Sequence, residues 1–141
     1  AAGIIVILKE GKVVDIMLES MADALNDSGK AGALGTMYGI QTFINLFIPS
    51  ASAKAAATMP IMAPFSDMIG ISRQATVLAF QFGDGFTNMI TPCSGVLMAV
   101  LSVAGITYEK WFSFIWKFIL ILILLGFLLL LPTIWLDLPG F

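Results

Sequence analysis

From Trp111 to Leu131 the chain is apolar apart from Lys117 and the small polar Ser113, and this run limits the fold more than any other stretch. As an α-helix it is about 31 Å long at 1.5 Å per residue, which matches the hydrocarbon thickness of a bilayer. Trp111, Trp116 and Trp135 lie near its ends, where interfacial aromatics sit, and Lys117 can snorkel to the polar boundary. Backbone polar groups at that depth are satisfied only within helices or closed barrels. Composition agrees: 59% of the 141 residues are hydrophobic and 11% charged, against roughly 25% charged in soluble domains. The fold class expected is all-α integral membrane.

Several functions are excluded at once. The chain has no histidine and one cysteine, so it holds neither a zinc site of the usual kind nor an internal disulfide. Its net charge of −2 is scattered, and no basic stripe offers itself to nucleic acid. Lysine and arginine are too evenly spread to fix an orientation across the membrane.

The stretch Gln81 to Gly95, QFGDGFTNMITPCSG, interrupts an otherwise apolar segment. Gln81, Asp84, Asn88 and Thr91 recur at helical spacing and form one polar stripe. The stripe runs into Pro92, which lacks a backbone donor, and Gly95, so a helix break with free carbonyls is expected there. Val96 to Val103 is only about 12 Å long as a helix and cannot span alone, whereas Ala75 to Ile90 and this second half together can. A carboxylate at membrane depth is expensive and marks an ion or proton pathway, or else pairs structurally, here with Lys54 or Arg73. A broken helix presents unwound carbonyls to cations and a helix N-terminus to anions, the device of secondary transporters. Carbonyls around Thr91 and the Ser94-Gly95 helix start are the candidates; a simple proline kink with locally satisfied polar groups is the structural alternative.

Upstream, Ala1 to Leu8 reads as a helix end closed by the charged turn Lys9 to Lys12. Val13 to Leu25 reads as an amphipathic helix, lying at the membrane interface or packed on a neighbour. Asp27 to Lys30 reads as the turn that ends it. Ala31 to Ile48 is uncharged, with Gly35 and Gly39 as a small-residue face and with Gln41 and Asn45 as its polar members. A polar tip, Ile48 to Lys54, then leads into Ala55 to Met68, which Pro60 and Pro64 interrupt. Two apolar arms around a polar tip read as a re-entrant hairpin, or as two complete spanning helices. Ser50 and Ser52 are candidate ligands through hydroxyls and amides, or helix caps; Lys54 attracts a carboxylate or snorkels to water; Asn45 and Asn88 bind ligand or join helices.

The expected organisation is one membrane domain over 1–141: helix end and interfacial helix at 1–30, hairpin at 31–70, broken helix at 73–105 and final spanning helix at 111–131. The chain reads as the C-terminal part of a larger transporter, with 136–141 as its tail. Two other classes compete with a transporter. An intramembrane aspartyl protease also has Asp beside Gly in a broken helix, but it needs a second carboxyl group, and Gln81 stands where its motif has glycine. A structural or channel-forming membrane subunit is the third class.

NLFIPSASAKAAATMPIMAPFSD (Asn45 to Asp67) followed by GISRQATVLAFQFGDGFTNMITPCSGVLMAVL (Gly70 to Leu101) resembles the C4-dicarboxylate anaerobic carrier family. Within it the likeness is to the YfcC-type branch of basic amino acid antiporters, in the ion transporter superfamily. The resemblance implies two inverted repeats, each with a re-entrant hairpin and a discontinuous helix. This chain would be the C-terminal one, with an interfacial arm helix from Val13 and a partner repeat earlier in the polypeptide. It implies a homodimer in the bacterial inner membrane that moves a dicarboxylate or amino acid by alternating access, by exchange or coupled to Na+ or H+, without enzymatic chemistry. Carried over by position, the hairpin tip is Ser50-Ala51-Ser52 and the unwound loop Thr91-Pro92-Cys93-Ser94. Ala51 replaces the glycine frequent in relatives and stiffens the tip, and Cys93 stands where a hydroxyl residue is expected. The candidate substrate or ion site is thus Ser50, Ala51, Ser52, Lys54, Gln81, Asp84, Asn88, Thr91, Pro92 and Ser94, with a Na+ expected near Ser50, Ser52 and Thr91.

Overall fold

The computed structural model describes residues 12–135. The expectations for 1–11 and for the tail at 136–141 lie outside the described residues. The described residues form five helices joined by short connections, α1 (Val13–Phe47), α2 (Ala51–Ile69), α3 (Arg73–Asn88), α4 (Gly95–Ala104) and α5 (Tyr108–Leu130), followed by a 3-10 turn (Leu131–Ile134).

The turn expected over Asp27 to Lys30 is a single residue. Gly29 alone leaves helical geometry, at φ 65 and ψ −152, and α1 resumes directly after it. Glycine reaches that region without a Cβ clash, so one residue suffices to redirect the helix. Both limbs of α1 are then held by packing, because Met21 joins Met37, Ile44, Met62 and Phe65 in one buried cluster.

Beyond Gly29, α1 runs parallel to α3. Leu34 and Tyr38 share a cluster with Ile71, Ala75 and Ala79, the backbone of Gln41 and Thr42 lies against Gly83, and the Thr91 hydroxyl reaches the Leu46 carbonyl. α2 returns antiparallel between their ends, and Lys30 Nζ donates to the Gly70 carbonyl at 2.9 Å where the arms meet again. The two arms and the three residues between them, Ile48 to Ser50, therefore form a helical hairpin.

Pro60 and Pro64 do not interrupt α2. Each removes a bond to the carbonyl four residues back, but Ala56, Pro60 and Pro64 form one exposed stripe. The defects fall on a single outer face and the inner face stays intact. The helix is started by Ser50, whose Oγ accepts from Ala53 N, as Ser72 caps α3 and Ser94 caps α4.

α5 runs back alongside α1 and α3. Tyr38 Oη donates to the Ile123 carbonyl at 3.2 Å, Phe127 covers Gly35, and Leu130 joins the cluster of Ala33 and Leu34. Tyr108–Ile134, 27 residues, is long and apolar enough to cross a membrane by length and composition. Its outer face exposes Phe114, Phe118, Ile121, Leu124 and Leu128.

Candidate functional site

Hairpin tip, helix break and the first turn of α5 all lie at the same end of the bundle. α3 ends at Asn88, the chain is non-helical to Ser94, and α4 starts at Gly95. Three of the carbonyls exposed by this break, those of Met89, Ile90 and Thr91, carry donors, where Pro92 predicts free ones. Trp111 Nε1 donates to the Met89 carbonyl at 2.9 Å, Tyr108 Oη to that of Ile90 at 2.6 Å, and Ser94 N to that of Thr91 at 3.2 Å. Side chains in a first helical turn lean back toward its start, and buried indole and phenol groups need an acceptor. These two aromatics find theirs in the break. Thr91 is buried; its hydroxyl donates to the Leu46 carbonyl at 2.6 Å and accepts from Cys93 N at 3.2 Å. The loop is thereby tied to the last turn of α1, just before the tip.

Below the break sits a buried ion pair. Lys54, in the first turn of α2, is fully buried and places Nζ 3.1 Å from Asp84 Oδ1. It does not snorkel to water, because Phe80 lies across it with the ammonium 4.3 Å from the ring centroid. Of the two partners open to Asp84, the fold selects Lys54; Arg73 pairs with Asp67 at 2.7 Å on the exposed far end. Asn88 Nδ2 donates to Asp84 Oδ2 at 3.1 Å, one helical turn along α3. From α1, Asn45 Nδ2 bridges the Asp84 carbonyl at 3.1 Å and Thr87 Oγ1 at 2.6 Å, while Thr87 donates to the Gly83 carbonyl. Gly83 is what lets α1 come this close: a Cβ there would meet Thr42 N at 3.0 Å.

The network is incompletely satisfied. Among the described residues Asn45 Oδ1, Asn88 Oδ1 and both amide atoms of Gln41 are buried without a hydrogen-bond partner, and the Lys54–Asp84 contact is close without being aligned as a hydrogen bond. Buried polar groups in folded proteins are nearly always paired, so these unpaired atoms, on the helices that also carry the Lys54–Asp84 pair, set this part of the described bundle apart.

The expected site residues divide accordingly. Lys54, Asp84 and Asn88 are brought together. Thr91 and Ser94 hold the break, Thr91 through Leu46 and Ser94 as the cap of α4. Ser50, Ala51 and Ser52 form the exposed tip, with the two hydroxyls 3.4 Å apart. Gln81 and Pro92 are exposed, and Gln81 makes no side-chain hydrogen bond among the described residues. Gln41, Phe80 and Thr87 were not anticipated at the site. The four-residue spacing of Gln41 and Asn45 in an uncharged segment, and Thr87 within the Asp84–Asn88 turn, were the available signals.

The described residues form an all-helical bundle in which α5 presents an apolar outer face long enough to cross a membrane and buried polar groups gather beside a hairpin tip and a helix break, the construction of a helical membrane protein. The particular family follows: the family model described as C4-dicarboxylate anaerobic carrier matches residues 1–134, and the chain belongs to that family. It is 41% identical over 116 residues to "Putative basic amino acid antiporter YfcC" of Escherichia coli (strain K12), covering 79% of this chain and 23% of that protein. It is 31% identical over 131 residues to an uncharacterized protein of Haemophilus influenzae (strain ATCC 51907 / DSM 11121 / KW20 / Rd), covering 92% of this chain and 25% of that one. The chain thus spans about a quarter of the length of these relatives. No solved structure matches it.

Proposed function

We propose that the chain is the substrate-binding repeat of a secondary active transporter for a small carboxylate-bearing solute, a dicarboxylate or an amino acid, working by alternating access. The carrying observation is the buried Lys54–Asp84 pair with its unpartnered amide neighbours, beside the break and the hairpin tip. One positive and one negative group at a single locus suit a solute that is itself charged. Family membership supports a carrier rather than an enzyme, and among the described residues the side-chain partners of Asp84 are Lys54 and Asn88, not the second carboxyl group that an aspartyl protease requires.

In this reading the hairpin is re-entrant and α3 with α4 is a discontinuous transmembrane helix. The first limb of α1 lies at the interface, and an inverted repeat completes the cavity in a homodimeric inner-membrane protein. The exposed hydroxyls of Ser50 and Ser52 and the first turn of α4 bind the solute carboxylate. A Na+ near the tip and Thr91, or a proton, supplies coupling unless the carrier is an exchanger. The test is uptake of labelled succinate, L-arginine and L-lysine by the full-length protein in liposomes, with and without sodium. Saturable uptake that collapses in folded Asp84→Asn is expected; full activity in that variant removes Asp84 from the site. Unsaturable conductance would indicate a channel, and Asp84-dependent cleavage of a model membrane peptide a protease.

A further inference from the structure

Lys54 is the largest fully buried side chain among the described residues, yet its ammonium has one partner and no aligned hydrogen bond. We propose that this ammonium is a tethered stand-in for the positive charge of an organic cation, an alkylammonium or guanidinium group. It neutralises Asp84 while the carrier is empty and gives up that place when the ligand's cationic group arrives. The inference rests on the carrier reading and specifies the charge that Asp84 receives.

Four features carry it. Asp84 Oδ2 is held by Asn88, leaving Oδ1 to whichever cation is present. Asn45 Oδ1 and Asn88 Oδ1 are buried acceptors that the lysine does not use; an ammonium or guanidinium brings several N–H donors on a freely oriented group and can use them. The Phe80 face, already 4.3 Å from Nζ, attracts any cation in that position. Lys54 N also donates to the Ser50 carbonyl at 2.9 Å, so the ammonium is mounted on the helix start that includes the tip. A ligand that shifts the tip shifts the lysine with it. Among the described residues Lys54 and Asp84 are the only buried charges, and each is the other's counter-charge.

The consequence concerns the empty carrier. With Lys54 in place it can reorient carrying a neutral pair. Without that charge the empty form holds a bare buried carboxylate, which a low-dielectric interior penalises, while the loaded form is compensated by its ligand. Lysine removal should therefore suppress net flux more than exchange.

The experiment uses full-length protein in liposomes and labelled L-arginine as probe. In Lys54→Met the ratio of net uptake into empty vesicles to exchange against arginine-loaded vesicles should fall by about tenfold or more. Lys54→Arg should restore the ratio. Acylation of Lys54 by a water-soluble reagent, read by mass spectrometry against exposed Lys110, should be slower by about tenfold or more without ligand, since reactivity tracks the opened population. It should rise on adding arginine and in Asp84→Asn. The neutral double variant Lys54→Met/Asp84→Asn should fold, relieving any folding defect of the single variants, and lose arginine transport. An unchanged ratio in Lys54→Met overturns the proposal, as does arginine-insensitive acylation in a protein that transports arginine. Equal loss of net uptake and exchange also overturns it, because an anionic solute would bind the lysine itself. If the wild type moves succinate but not arginine, the proposal fails and the carrier reading stands; if it moves neither, both fail.

Discussion

Replacing Gly83 by alanine tests the close approach of the α1 backbone to α3. The added Cβ would lie 3.0 Å from Thr42 N and 3.2 Å from both Gln41 C and Thr42 Oγ1. Comfortable separations begin at about 3.5 Å, so α1 and α3 must part by roughly half an ångström. Such overpacking costs about 1–3 kcal/mol, while removing a glycine from mid-helix returns about 0.5–1 kcal/mol. The net change therefore runs from nearly neutral to about 2.5 kcal/mol destabilising. Gly85, two residues along the same helix, is the internal control, since a Cβ there meets nothing within 4 Å. Gly85→Ala has the same propensity gain without the clash, so the difference between the variants, about 1–3 kcal/mol, isolates the contact. Parting the helices would also stretch the 3.1 Å bond from Asn45 to the Asp84 carbonyl beyond hydrogen-bond range. Transport should fall in Gly83→Ala by more than its stability loss explains. The measurements are denaturant unfolding of the full-length protein in mixed micelles and uptake in liposomes. Equal stabilisation by the two substitutions would show that α1 and α3 do not meet at Thr42 and Gly83.

Three further outcomes are expected. Gly126→Ala puts a methyl group 2.8 Å from Tyr38 Oη and 2.7 Å from Phe86 Cε2. This dislodges Tyr38 from the Ile123 carbonyl at about 1–3 kcal/mol, and Tyr38→Phe in that background should recover part of the loss in the same unfolding assay. Thr91→Val leaves the Leu46 carbonyl and Cys93 N without their partner, costing about 1–3 kcal/mol, and should speed alkylation of exposed Cys93, whereas Thr91→Ser should do neither. At the exposed far end, hydrogen bonding from Arg73 holds the Asp67 carboxyl below its ordinary range. That contribution is complete above the ordinary carboxylate range and is lost as pH falls through the lowered one, so Asp67→Asn should make the acid-side loss of stability shallower. An identical acid limb in both proteins would rule the bridge out as a contributor.

The sequence revealed elements more readily than partners. The apolar runs located the long helix α5 and the two helices on either side of the tip, and Pro92 with Gly95 located the break, because these are local effects of dihedral freedom and burial. Across-helix geometry was less accessible. A polar stripe places Asp84 on a face but gives no distance to Lys54 or Arg73, so both partners stayed open until α2 was seen to bring Lys54 back beside α3. Gln81 shares the stripe yet is exposed, since α1 and α2 cover only part of that face. The prolines of α2 signalled interruption, but their common exposed stripe let the helix continue. The donors that occupy the break carbonyls come from Tyr108 and Trp111, which as sequence features looked only interfacial.

Those two aromatic donors give the break a mechanical character. With the indole on Met89 and the phenol on Ile90, the loop and the start of the long apolar helix are fastened at two points, each worth about 0.5–1.5 kcal/mol. A transition that carries loop and helix together as a rigid block leaves both fastenings intact. One that swings the loop past a stationary helix must undo them in sequence, which raises its barrier and shifts the Trp111 fluorescence as the indole loses its acceptor. The break is therefore less a free joint than a latched one, and the latch belongs to the helix that otherwise looks like inert wall.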